Sequence, residues 1–126
     1  FGFADAALFT LDHPDLLNRA QNAKVIKAAA PKLGEIVKGN VASQIIITGR
    51  VHGIEAKAYG MFIDVLVKVD EPGTSKGDSG MLWKNQKGQP VAIHAYAPED
   101  SNSLVSAAML ASRVGSLLCV NFLNEP

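Results

Sequence analysis

Pro72-Gly73-Thr74-Ser75-Lys76-Gly77-Asp78-Ser79-Gly80 joins two β-rich runs, and its reading decides what kind of β-protein this chain is. Upstream, Met61 to Val69 alternates Ile63, Val65 and Val67 against Asp64, Leu66 and Lys68, the period of a half-buried strand. Downstream, the turn Asn85-Gln86-Lys87-Gly88 leads into a strand from Pro90 to Tyr96. Further out, Glu35 to Lys38 stops at Gly39-Asn40, Gln44 to Thr48 stops at Gly49, and Arg50-Val51-His52 stops at Gly53. Phe3 to Leu11 and Leu104 to Met109 supply the first and last strands. Asp12 to Asp15 reads as a turn around Pro14. Asp15 to Ala30 reads either as some helix or as a polar connector. Ser112 reads as the N-cap of a terminal helix whose apolar face is Val114, Leu117, Leu118 and Phe122. Short strands punctuated by Gly and Pro, with one late helix, predict a small β-barrel or sandwich.

Composition narrows the function. The 126 residues carry 12 basic and 12 acidic side chains, a formal net charge of zero. A nucleic-acid or anionic-membrane protein would show a basic excess, so neither partner is expected. Hydrophobic residues make up 48%, enough for a packed core. No apolar run approaches the roughly 20 residues of a membrane-spanning helix. One cysteine, Cys119, rules out an internal disulfide and a cysteine-rich zinc site, and its helix position reads as a small buried apolar residue. The scattered histidines give no metal-ligand spacing, and no cofactor is implied. Lack of disulfides fits either the cytosol or a bacterial secreted enzyme. Phe1-Gly2-Phe3 shows no initiator Met and no basic leader, as expected of a cut end.

In the Gly-rich stretch, a serine between glycines can sit on a tight turn with its hydroxyl exposed. The glycines let main-chain N–H groups converge on one point, as an oxyanion hole requires. The competing reading is a Gly-rich hairpin loop with a solvated Ser and Asp. A phosphate-cradling loop would need Gly-Lys-Ser/Thr at an offset the stretch does not offer. In Val91 to Tyr96, strand alternation sets Ala92, His94 and Tyr96 on one face. A histidine there is, by itself, more often a satisfied core residue than a functional one.

The order of these residues resembles the trypsin-fold (chymotrypsin-like) serine proteases, and among them the bacterial glutamyl endopeptidases. Asp5-Ala6-Ala7-Leu8 is similar to the strand bearing the catalytic aspartate. Val37-Lys38-Gly39 with Gly49-Arg50-Val51 resembles the strands that open the second barrel. Thr74 to Gly80 matches the nucleophile loop, Val91 to His94 the strand after it, and Val105 to Arg113 the closing strand and helix. The resemblance implies an all-β fold: a six-stranded antiparallel Greek-key barrel, the second of two, with the last strand of the first barrel and a C-terminal α-helix. Residues 1–30 would then end the first barrel and connect it to the second barrel of 31–126. By the same resemblance Ser79 is the nucleophile, Asp5 orients a catalytic histidine, and the N–H groups of Gly77 and Ser79 hold the oxyanion. Asp78 shapes the oxyanion loop. Thr74 and His94 line the pocket for the residue before the cut, with Ala95, Tyr96 and Ala97 at its edge, which implies cleavage of a protein or peptide after Glu or Gln.

The family order is His, Asp, Ser, and only four residues precede Asp5. His13 in its turn and His52 near a strand end read as surface or structural residues. The resemblance thus implies that an upstream protease segment, of the same or a separate chain, supplies the base. Met81-Leu82 departs from the small residue and proline usual after the nucleophile loop, and Ala97 replaces a usual glycine. The other readings are a catalytically inactive trypsin-fold binding module and an unrelated small β-domain.

Overall fold

The computed structural model describes residues 6, 7, 10, 12–41, 45–98 and 104–124. Its elements are α1 (Pro14–Asn22), β1 (Lys24–Ile26), β2 (Ile36–Asn40), β3 (Ile46–Ala58), β4 (Met61–Val69), β5 (Leu82–Lys84), β6 (Pro90–Tyr96), β7 (Val105–Leu110), α2 (Ala111–Leu118) and β8 (Phe122–Asn124). Six strands close an antiparallel barrel in the order β2-β3-β4-β7-β6-β5. The described residues are thus mostly β, with a closed six-stranded antiparallel barrel and two helices. No described helix is long and apolar enough to cross a membrane.

Valines and one tryptophan fill the barrel. Val37, Val51, Val65, Val67 and Val91 surround Trp83, which is entirely buried. β-Branched side chains suit this pleated, two-sided packing. A second buried cluster, Ile63, Leu66 and Ala107, packs with Tyr96 and Val105. The expected alternation of β4 is therefore only half of its pattern. Val65 and Val67 face the barrel, but Leu66 is also buried, and so is Asp64. Asp64 Oδ2 accepts hydrogen bonds from the main-chain N–H of Leu110 at 2.9 Å and from Arg113 Nε at 2.8 Å, with Arg113 Nη2 also at 2.8 Å. This carboxylate pins the start of α2 to β4.

Several boundaries differ from the sequence reading. β3 does not stop at Gly49 or Gly53 but runs from Ile46 to Ala58. A Cβ on Gly49 would stand 2.5 Å from Val67 Cγ1 and 3.4 Å from the Trp83 ring, so this glycine serves close packing inside a strand. The register shifts between Val51 and Gly53, which places a bulge at His52. Pro14 opens α1 rather than a turn, with His13 as its extended N-cap residue. The N-cap of the terminal helix is Leu110, not Ser112, and the helix ends at Leu118, before Phe122. Cys119 adopts a left-handed conformation (φ 54°), Val120 N–H returns to Gly115 O at 3.0 Å, and the chain reverses into β8. Phe122 then packs over Gly115. Cys119 is exposed, not buried, because it sits in this reversal.

The connector ahead of the barrel is tied to both ends of the fold. β1 pairs antiparallel with β8, setting Val25 opposite Leu123, and Ala29 N–H donates to Pro90 O at 3.0 Å. Of the predicted strand from Phe3 to Leu11, Ala6, Ala7 and Thr10 are described and belong to no regular element. The rest of it, Asp5 included, lies outside the described residues.

Candidate active site

The connection from β4 to β5, residues 70–81, carries the serine. It is anchored at its start by Asp70 N–H donating to Thr48 O at 2.9 Å, and Gly73 N–H donates back to Asp70 O at 2.9 Å. The Glu71–Pro72 peptide is cis. Asp78 organises the middle: its carboxylate accepts Ser75 N–H at 2.7 Å, and its own N–H donates to Ser75 O at 3.1 Å. Gly77 and Gly80 take φ values of 101° and 95°, a region that L-residues with a side chain rarely adopt. Two glycines therefore bracket Ser79 on a tight turn, and Ser79 is exposed. Among the described residues, neither the Gly77 nor the Ser79 N–H donates to a main-chain carbonyl.

Strand β6 holds the end of this loop. Gly80 N–H donates to His94 O at 2.8 Å and His94 N–H donates to Met81 O at 2.9 Å. The β6–β7 register slips between His94 and Tyr96, so Ala95 is the extra residue of a bulge. The bulge turns the Ala95 carbonyl to the loop, where Ser79 Oγ donates to it at 3.0 Å. The strict alternation expected for Ala95 and Tyr96 fails for this reason.

His94 and Thr74 are each only 3% exposed. His94 Nδ1 lies 2.6 Å from Ser106 Oγ, and Trp83 Nε1 donates to the same oxygen at 3.0 Å. Indole N–H can only donate, so it occupies one lone pair of Ser106 Oγ, and the His94 Nδ1 contact is made either by the hydroxyl hydrogen or by the second lone pair. Burial lowers the His94 pKa, and the Asp78 carboxylate partly opposes this by favouring the charged ring. Among the described residues, neither His94 Nε2 nor the Thr74 hydroxyl has a hydrogen-bond partner.

The structure brings Ser79 to Ala95 and Gly80 to His94. Tyr96 is half-buried and its hydroxyl bonds the Met61 sulfur, while Ala97 follows β6 half-buried. Asp5 lies outside the described residues. His13 and His52 are exposed, and among the described residues no histidine ring bonds Ser79. No described group of three His, Cys, Asp or Glu side chains is placed to hold a metal. Sequence reasoning missed Ser106 and Trp83. Ser106 is the single polar residue inside the apolar run Leu104 to Met109, and that was the available signal. An open groove of about 500 Å³ begins at Gly80 and Met81, beside Ser79, and extends to Lys38 and Lys84.

Comparison with protein-family models, with curated proteins and with solved structures found no match.

Proposed function

We propose that this chain is the nucleophile-bearing part of a trypsin-fold serine endopeptidase that cleaves peptide bonds after Glu or Gln. The observation that carries the reading is an exposed Ser79 set between two glycines of positive φ, with its own N–H and that of Gly77 unspent among the described residues. Such a pair of donors beside a hydroxyl suits a tetrahedral oxyanion. The barrel order supports it. β5 returns by a long connection to lie beside β2, giving the spatial order β5-β2-β3-β4 of a Greek key, and Ser79 rides on that connection. A fold hosts many functions, so the weight rests on the loop and not on the barrel.

In this reading Ser79 attacks the carbonyl and Asp78 keeps the loop in shape by holding Ser75 N–H. With the Ser106 hydroxyl donating to Nδ1, a neutral His94 carries its proton on Nε2, and this N–H and the Thr74 hydroxyl donate to the oxygen atoms of a Glu or Gln side chain. The reaction also needs a general base, assigned here to a histidine of an upstream segment, with Asp5 orienting it. A second reading, a catalytically inactive binding module, is favoured by one contact: Ser79 Oγ spends its proton on the Ala95 carbonyl. A fluorophosphonate probe, applied with the upstream segment present, separates the two. The protease reading expects covalent modification at Ser79 and its loss in Ser79→Ala; an unmodified Ser79 refutes it.

A further inference from the structure

Among the described residues, Lys38 and Lys84 are the register pair joining β2 to β5, and they stand directly opposite each other. Directly opposed residues of an antiparallel pair have Cβ atoms about 4.5–5.5 Å apart, where like charges repel. Their strand neighbours Val37, Gly39 and Trp83 are buried, so the two lysines project outward. Among the described residues neither has an ion pair or hydrogen bond. Both line the groove of about 500 Å³ that starts at Gly80 and Met81. Gly39 permits the close approach that forms its floor, since a Cβ there would stand 2.6 Å from Met81 Sδ and 3.1 Å from Leu82 O. A repelling lysine pair at the closing seam of a barrel, with no ion-pair partner among the described residues, suits an anion delivered from outside.

We infer that this groove binds an acidic peptide segment, namely the substrate chain that follows the scissile bond. The assignment rests on the protease reading for its direction. His94 lies on β6 with its ring bonded to Ser106 on β7, so in that reading the acyl half of a substrate lies on the β6–β7 side of Ser79. The β5–β2 side is left for the leaving half. Asp or Glu side chains in that half meet the two ammonium groups, which relieves their mutual repulsion. A peptide fits better than a nucleic acid because the groove supplies two cations in a chain of zero net charge, far short of a phosphate-tracking stripe.

The test uses the protein together with its upstream segment and two peptides with the same Glu-ending acyl half. One carries Asp-Glu after the cut and the other Gln-Ser. The acidic peptide should be cut with a three- to tenfold higher kcat/KM, the scale of two partly exposed charge contacts. In Lys38→Glu/Lys84→Glu the ratio should invert, and in Lys38→Ala/Lys84→Ala it should fall toward one. A wild-type ratio near one, or a ratio unmoved by both variants, overturns the inference while leaving the protease reading intact. Fluorescence anisotropy of the labelled acidic leaving-half peptide on Ser79→Ala protein is independent of turnover. Binding that is lost in the double variants supports the groove even where no peptide is hydrolysed. No binding, or equal binding of a polyuridylate of matched charge, refutes it.

Discussion

Ser106→Ala tests the buried chain Trp83–Ser106–His94. One oxygen serves two partners, Trp83 Nε1 at 3.0 Å and His94 Nδ1 at 2.6 Å. Trp83 and Ser106 are fully buried and His94 is 3% exposed, so water does not replace the lost hydroxyl readily. Leaving a buried polar group unsatisfied costs about 1–3 kcal/mol. Two orphans make the loss about 2–6 kcal/mol, a large share of the roughly 5–15 kcal/mol that holds a domain folded. Urea unfolding followed by far-ultraviolet circular dichroism measures it, as a fall in midpoint at constant slope. A cycle with Trp83→Phe separates the two halves. Trp83→Phe opens a cavity of its own, yet Ser106→Ala then orphans only His94, so the two losses should fall short of additivity by about 1 kcal/mol. Long-range ¹⁵N spectra of the wild type test the tautomer that the pocket reading uses, with Nδ1 unprotonated and Nε2 protonated. A folded Ser106→Ala within about 0.5 kcal/mol of wild type would refute the reasoning, and a wild-type imidazole protonated on Nδ1 would refute the donor role given to Nε2 in the pocket.

Gly49→Ala should destabilise by about 1–3 kcal/mol, because its methyl meets Val67 Cγ1 at 2.5 Å and Lys68 O at 3.0 Å; a thermal shift measurement checks it, and an unchanged Tm contradicts it. Asp64→Ala should cost about 2–3 kcal/mol by releasing Leu110 N–H and Arg113 together, with exchange of the first amides of α2 rising in step. The His94 pKa is lowered on folding, so between the unfolded value near 6.5 and the lower folded value the unfolded chain binds the extra proton. Stability should therefore be complete above about pH 6.5 and fall as the pH drops below it, by at most about 1.4 kcal/mol per unit from this group. Denaturation of wild type against His94→Gln at pH 7.5 and pH 5 isolates it, and equal pH slopes in the two proteins would count against it.

Legibility in the sequence depended on what each signal meant physically. β4 and β6 match their predicted spans from end to end, because Gly60 and the Asp70-to-Gly73 turn bound one and the Gly88 turn bounds the other. β3 did not, because Gly49 is there to admit Val67 and the Trp83 ring, and a glycine of that kind looks like a terminator from sequence alone. β5 is three residues long, too short for any period, and only its pairing with β2 and β6 defines it. The loop around Ser79 was readable since its glycines report backbone conformation directly. The Trp83–Ser106–His94 chain was not, because its members lie on three strands. Asp64 and Arg113 are equally remote in sequence, and in a strand reading Asp64 simply marks the wet face.

Strand β6 carries two tasks that the hydrogen bonds make inseparable. On its β5 side the main chain of His94 holds Gly80 and Met81, and the bulged Ala95 carbonyl holds Ser79 Oγ. Toward β7 the ring of His94 is anchored by Ser106, which Trp83 anchors in turn from the barrel core. The bulge is what permits both, since a regular strand would direct the Ala95 carbonyl into the ladder with β7. A one-residue slip of β6 would move His94 to the opposite face and take Ser79 out of reach of its acceptor in the same step. The depth of the imidazole and the position of the serine are thus set by one register, and that register is fixed from inside the barrel. A substitution at Trp83 or Ser106, neither of which touches the loop, should then change fluorophosphonate labelling at Ser79 in proportion to its effect on the His94 tautomer. Labelling that stays at the wild-type rate while the tautomer shifts would show that the loop is held by Gly77, Asp78 and Gly80 alone.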